Sequence, residues 1–313
     1  MNRIVVFFQS FLLILLFAFS AINAQPLVLD KFESTQGWQF IQSDGVALKM
    51  SIEKGTDGNA IRFDYDFTKG TGYAGIQKWF PIDLPENYVF SFDLKASSPP
   101  NNFEVKFIDH SGDNVWWVNK RNFAFPDEWQ TMRIRKRHIE FAWGPTHDRT
   151  LNRVDRIEFT IASFVGGKGT IWLDNLRFEP LPPPAETYPV PMITSSAAAR
   201  RNSSKLAVDG NPSTFWKSPD AKPHEITLDF QVVRELGGLV INWVKGMAPH
   251  SFEIQLSNDG KQWARTYSIA HLAALKSFVR LPETETRFLK IMLHPGNASA
   301  AFGISEIEIL DVG

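Results

Sequence analysis

Apolar and polar residues alternate with a period of two along much of this chain. Ile61, Phe63, Tyr65 and Phe67 interleave with Arg62, Asp64 and Asp66, and Phe90, Phe92 and Leu94 with Ser91, Asp93 and Lys95. Phe103, Val105 and Phe107 repeat the pattern, as do Ile157, Phe159 and Ile161. This spacing predicts strands with one buried face. Further along, "EITLDF", "GLVINWV", "SFEIQLS", "RFLKIML" and "ISEIEIL" read as short strands, and "SNDGKQW" carries an Asp-Gly turn of hairpin type. Long stretches with helical periodicity are absent, so the expected fold class is all-β: two tandem antiparallel β-sandwiches.

The segment 179–191, "EPLPPPAETYPVP", interrupts the alternation. Proline favours an extended spacer there and cannot continue a sheet. The expected organisation is a first sandwich over 25–179, a Pro-rich linker over 180–191 and a second sandwich over 192–313. The start reads differently. Arg3 precedes an apolar run from Phe11 to Phe19, and Ala21–Ala24 ends in a small residue. That is the order of an export signal covering 1–24, too short in its apolar part for a comfortable membrane span. An uncleaved anchor is the alternative. No later stretch predicts a transmembrane segment, so the expected location is secreted, periplasmic or cell-surface associated.

Composition narrows the function classes. A formal net charge of −1 gives no support to nucleic acid as a partner. With no cysteine, an exported chain must hold itself by core burial or by bound ions. Ten Trp and 26 Phe supply rigid rings for cores or for surfaces that meet flat ligands.

On the faces opposite the buried Phe positions, Tyr73, Gly75, Gln77 and Trp79 share one side of their strand. Arg62, Asp64 and Asp66 share another, Glu104 and Lys106 a third, and Trp117, Asn119 and Arg121 a fourth. Trp, Tyr, amides and charges on one sheet face suit a sugar chain, because rings stack on pyranose faces while polar groups bond to hydroxyls. A solvated outer sheet would show the same residues. Arg133, Arg135 and Arg137 in "RIRKRH" would form one row if the strand continued through them, a place for acidic polysaccharide or merely a solvated face. Catalytic signatures are missing: there is no Cys nucleophile, no Gly-x-Ser-x-Gly and no His-Glu-x-x-His. Asp64 with Asp66, and Glu306 with Glu308 and Asp311, are the carboxylate pairs that a glycosidase would need.

The ordered series "KLAVDGNPSTFWKS" (205–218), "HEITLDF" (224–230), "LVINWV" (239–244), "SFEIQLSNDGKQW" (251–263), "RFLKIML" (287–293) and "ISEIEIL" (304–310) resembles the discoidin, or coagulation-factor C-type, domain. That family includes many bacterial carbohydrate-binding modules. The resemblance spans nearly all of 190–313. It departs at "HEITLDF", where the family usually has an aromatic near His224 or Glu225 and a Gly near Phe230. It implies a structural Ca²⁺ held by Asp209, Asn211, Thr214 and Glu306, with carbonyls near Leu206 and Asn211. An Asx turn without an ion would use the same stretch. The resemblance also implies sugar contacts in the end loops, with Lys245, Asn297 and Phe302 as candidates, while Trp216 packs beneath the turn and Trp243 and Trp263 sit in the core.

"LVLDKFESTQGWQF" (27–40), "GNAIRFDYDF" (58–67), "YVFSFDLKA" (88–96), "EWQTMRI" (128–134) and "GTIWLDNLRFE" (169–179) resemble the jelly-roll carbohydrate-binding modules with a galactose-binding-like fold. This likeness implies a second structural Ca²⁺ near Asp30, Glu33 and Asp174. Together the two resemblances imply an exported, non-catalytic binder of polysaccharide or oligosaccharide, with a partner glycoside hydrolase as a further possibility. A hydrolase or lyase on the first sandwich, and a protein-binding adhesion module, are the competing readings.

Overall fold

The computed structural model describes residues 26–183, 185–272, 274–296 and 301–312; the expected export signal lies outside the described residues. The chain forms two compact units, divided between Pro184 and Ala185. No α-helix occurs among the described residues.

The first unit contains strands β1 (Leu27–Asp30), β2 (Gln39–Gln42), β3 (Ala47–Lys54), β4 (Asn59–Asp66), β5 (Tyr73–Asp83) and β6 (Tyr88–Ser97). It continues with β7 (Asn101–Ile108), β8 (Val115–Phe123), β9 (Gln130–Arg135), β10 (Glu140–Trp143), β11 (Arg153–Ala162) and β12 (Lys168–Pro180). They build two six-stranded sheets. One runs β3-β4-β12-β6-β9, with β1 added against β12; the other runs β10-β8-β7-β11-β5-β2. All the pairings are antiparallel.

Alternation in the sequence becomes alternation in burial. Ile61, Phe63 and Tyr65 of β4 are buried, while Arg62 and Asp64 between them reach the other face. Phe92 from the first sheet meets Phe159 from the second with ring centroids 4.9 Å apart, and Phe90 meets Phe107 at the same distance. Edge and tilted contacts of this kind join the two inner faces into one aromatic core, each ring worth ~1.5–3 kcal/mol of burial. Arg62, Asp64 and Asp66 lie on β4, in the other sheet from Trp117 and Lys106. They are occupied there: Arg62 pairs with Asp64 and Glu53, and Lys168 with Asp66. The Asp64–Asp66 pair is therefore bound into ion pairs on the β3-β4-β12 sheet.

The basic row does not form. β9 ends at Arg135 and the chain turns into a 3₁₀ helix at Lys136–His138, so Arg137 leaves the strand that carries Arg133 and Arg135.

In the second unit, β13 (Met192–Ser195), β14 (Trp216–Lys217), β15 (His224–Trp243), β16 (Ser251–Ser257), β17 (Ala264–Ile269), β18 (Lys276–His294) and β19 (Gly303–Asp311) form one seven-stranded sheet. β15 and β18 run antiparallel along most of their length, and their ladder breaks register between Asp229 and Arg234 and again between Leu236 and Gly238. Bulges bend strands. Ile226, Leu228 and Phe230 before the break share a core with Leu239, Ile241 and Trp243 after it. A curled sheet thus does the work of two layers.

The proline-rich segment is anchored at both ends. Leu181 N–H donates to Asn87 O, and Asn87 Nδ2 donates to Pro182 O. In the second unit, Gln231 Nε2 donates to Val190 O, and the Arg234 guanidinium sits 4.2 Å from the Tyr188 ring centroid.

Candidate functional site

The outer face of the β10-β8-β7-β11-β5-β2 sheet gathers most of the polar and aromatic residues singled out above. Register sets its rows. Gln77, Glu158, Lys106 and Trp117 stand opposite one another across four strands, and the next row along the strands is Gly75, Thr160, Glu104 and Asn119. Trp79 faces Arg156.

The floor of this face is polar yet buried. Glu104, Lys106, Glu158 and Thr160 are all under 9% exposed. Lys106 Nζ lies 2.6 Å from Glu158 Oε1 and 3.2 Å from Glu104 Oε2. Thr160 Oγ1 donates to Glu158 Oε1 at 2.6 Å, and Asn119 Nδ2 reaches Glu104 Oε1 at 3.4 Å. Charges this deep persist only when paired.

Rings cover the floor. The Tyr73 centroid lies 5.7 Å from Lys106 Nζ, and the Trp143 centroid 5.8 Å from the same atom. Tyr73 belongs to β5 and Trp143 to β10, four strand spacings apart, or ~19 Å on a flat sheet. Both meet one ammonium, so side chains from the edge strand β10 and from β5, next to the opposite edge, converge over the middle of the face. Trp117 packs edge-on against Trp143 at 5.4 Å, and Arg156 lies over the Trp79 ring at 5.2 Å. Tyr73, Trp79 and Trp143 remain 43–48% exposed.

Two details adapt the strands to this arrangement. A Cβ on Gly75 would stand 2.3 Å from Phe159 O, so only glycine permits that approach of β5 to β11. A bulge in the β8–β10 pairing between Phe141 and Trp143 re-aims Trp143, so that Phe141 packs inward while Trp143 joins Trp117 outside. Asn119 Oδ1 and Arg156 Nε are buried without a hydrogen-bond partner among the described residues. Such orphans usually mark a water or ligand position. Arg121 stands apart, exposed where β8 shifts register against β7.

Sequence reasoning misses Trp143, Glu158, Thr160 and Arg156. A signal does exist for Glu158 and Thr160: they alternate with Ile157, Phe159 and Ile161, as the outward positions of a strand with one buried face must.

In the second unit the Asp-Gly turn assembles an oxygen-rich corner. Asp209 Oδ1 accepts from Asn211 N, and both Asp209 oxygens accept from Thr214 Oγ1 at 2.8–2.9 Å. Thr214 N–H donates to Asn211 O at 3.0 Å. Glu306 reaches in from β19 to accept from Gly210 N at 3.1 Å. Burial raises the Glu306 pKa. The Gly210 N–H opposes that, while the nearby charges of Asp209 and Glu308 push it further up. Trp216 is fully buried beneath, its Nε1 donating to Ala197 O. One carboxylate, a hydroxyl, an amide and a carbonyl from the turn, with a second carboxylate from β19, are a hard-oxygen donor set that fits Ca²⁺. Among the described residues no group of three or more His, Cys, Asp or Glu is placed to hold a metal ion.

The other expected ligands, Asp30, Glu33 and Asp174, are already engaged by donors within the fold. Asp30 accepts from Phe32 N, Trp38 Nε1 and Lys78 Nζ, so a cation already neutralises it. Asp174 accepts instead from Thr56 N, Thr56 Oγ1 and Asn175 N. Glu33 holds the same loop through Asn59. Asp30 and Asp174 share no hydrogen-bond partner among the described residues, and the carboxylates around the loop at 56–59 are Glu33, Asp174 and Asp93, whose Oδ2 accepts from Thr56 Oγ1.

Phe302 corrects an expectation. It is 0% exposed and lies in the core cluster of the second unit, because Ser218 Oγ accepts from its N–H and draws the chain inward just before β19. It offers no platform to a ligand. Lys245 is exposed in the turn after β15, and Asn297 lies outside the described residues. Trp243 is core, but Trp263 is only half-buried, with Lys290 Nζ 4.3 Å from its ring centroid.

Part of the chain is similar to a known family. Residues 192–307 match the F5/8 type C domain. The F5/8 type C segment thus includes the oxygen-rich corner, from Asp209 to Glu306. Solved structures with similarity include chitosan-binding module 2, in complex with chitotriose, of a chitosanase/glucanase from Paenibacillus sp. IK-5. It is 20% identical, covers 39% of this chain and 96% of its own, and has a TM-score of 0.37. The family 11 carbohydrate-binding module of a cellulosomal cellulase from Clostridium thermocellum is 21% identical, with 50% and 95% covered and a TM-score of 0.42. No curated protein matches the chain.

Proposed function

We propose that this protein binds polysaccharide, without cleaving it, on the outer face of the β10-β8-β7-β11-β5-β2 sheet. One observation carries the reading: exposed Tyr73, Trp79 and Trp143 rise around a buried Glu104–Lys106–Glu158 floor. Rings of this kind stack on the apolar faces of pyranoses. Carboxylate oxygens accept from sugar hydroxyls, and the unpartnered Asn119 Oδ1 and Arg156 Nε add an acceptor and a donor. The F5/8 type C segment acts as a second binding unit on the same chain, and two weak sites on one chain raise avidity for a polymer. Asp209, Asn211, Thr214 and Glu306 would hold a Ca²⁺, which would supply charge neutralisation and tie β19 to the turn. Residues 1–24 would direct export, and a partner glycoside hydrolase would be brought to the bound polymer.

Affinity electrophoresis through gels containing a panel of neutral and acidic polysaccharides tests the binding. Trp143→Ala and Trp117→Ala should each weaken retardation by about five- to thirtyfold, the loss of ~1–2 kcal/mol of stacking. Retention of full binding by the double variant, with its fold intact by circular dichroism, would move the site elsewhere. Release of reducing or unsaturated ends from any polymer in the panel would favour the enzymatic reading.

A further inference from the structure

In the second unit, two exposed imidazoles face each other nitrogen to nitrogen. His271 Nδ1 lies 3.0 Å from His250 Nε2, with ring centroids 4.8 Å apart and planes 73° to one another. The backbone holds them there. His250 N–H donates to His294 O at 3.0 Å, and Leu272 N–H, next to His271, donates to His250 O at 2.8 Å. A Cβ at Gly296 would come within 2.9 Å of His250 Cβ and 3.3 Å of its Nδ1, so a glycine there leaves the ring its room. Neither the sugar-binding face nor the oxygen-rich corner uses these residues.

We propose that His250 and His271 form a two-imidazole site for a divalent transition metal of square-planar or tetragonal preference, Cu(II) first and Ni(II) second. The argument is one of proximity: metal–imidazole bonds are ~2.0–2.1 Å, so two nitrogens already held 3.0 Å apart need only small ring rotations to reach one ion in cis positions. Imidazole suits copper and nickel, and copper leads the affinity order among divalent ions. Without metal, one ring donates its N–H to the other. On binding, that proton moves to the far nitrogen of the same ring, leaving both facing nitrogens as ligands. Solvent completes the coordination.

Titration of the full-length protein with CuCl₂, followed by calorimetry and electron paramagnetic resonance, tests this. One Cu(II) per chain should bind at the pair, with hyperfine coupling to two imidazole nitrogens. His250→Ala and His271→Ala should each weaken it by roughly tenfold or more, and Zn(II) should bind less tightly than Cu(II). Both positions are exposed, so the variants should keep the parent circular dichroism. Unchanged affinity in either variant, a signal from a single nitrogen, or tighter Zn(II) than Cu(II) would each overturn the proposal. Polysaccharide retardation is read separately, so neither proposal's failure mimics the other's.

Discussion

Replacing Lys106 with Met should cost the first unit a large part of a typical stability margin. The side chains of Lys106, Glu104 and Glu158 are each only about a tenth exposed, and one ammonium serves both carboxylates. Met keeps the length and apolar stem of the lysine while removing the charge. Two acids would then be left in a buried space, one receiving only Thr160 Oγ1 and the other Asn119 Nδ2. Removing one partner of a buried ion pair costs ~3–5 kcal/mol, because the uncompensated charge stays behind. Across a unit of this size each kcal/mol moves the midpoint by ~2–4 °C, so the transition should fall by about 6–20 °C. Differential scanning calorimetry of the full chain reads this directly, since only the transition of the first unit should move. A triple variant, Lys106→Met with Glu104→Gln and Glu158→Gln, should recover much of the loss by removing the stranded charges. A single-variant loss below ~1 kcal/mol would mean that water reaches the floor and that the network is not a sealed one. A triple variant as unstable as the single would show that packing, not charge, holds the site.

Three further outcomes follow from the same structure. Glu306 has a raised pKa in the fold, so its contribution is fully present below the unfolded value and is lost as pH rises through the folded one. In chelator, the second unit should therefore lose stability between acid and neutral pH, and Glu306→Gln should flatten that slope in denaturant titrations. Gly75→Ala should destabilise by ~1–3 kcal/mol, since its Cβ meets a neighbouring strand's carbonyl rather than a movable side chain; urea midpoints check it. Tyr188→Ala should cost about 1 kcal/mol and raise amide exchange in 186–190, because the ring no longer rests on Arg234, which Asp311 holds from β19.

The strands were legible because burial follows period two wherever one face of a sheet meets a core. Phe90, Phe92, Phe103, Val105 and Phe107 need no tertiary information to be placed inward, and all of them are buried. What the alternation could not supply was which outer faces belong together. Arg62 and Lys106 both oppose buried aromatics, yet they lie on different sheets, and only strand order separates them. Trp143 was hidden for another reason: a bulge moves it to the face opposite the one that simple counting from Phe141 would give. Phe302 failed in the reverse direction, since a loop position next to small residues reads as exposed until Ser218 draws it into the core.

The floor of the face also bears on whether it binds or cuts. Glycoside cleavage needs two carboxyl groups in unlike states, one holding a proton to give and one free to act as base or nucleophile. Here Glu104 and Glu158 share the single ammonium of Lys106 and keep further lone pairs able to accept hydrogen bonds. An acceptor-rich floor between rings is suited to hydrogen-bonding hydroxyls that stay where they are. On the proposed reading the arrangement serves recognition, and Lys106 would have two roles in it: its charge would hold the buried carboxylates in the fold and would also position them for a sugar.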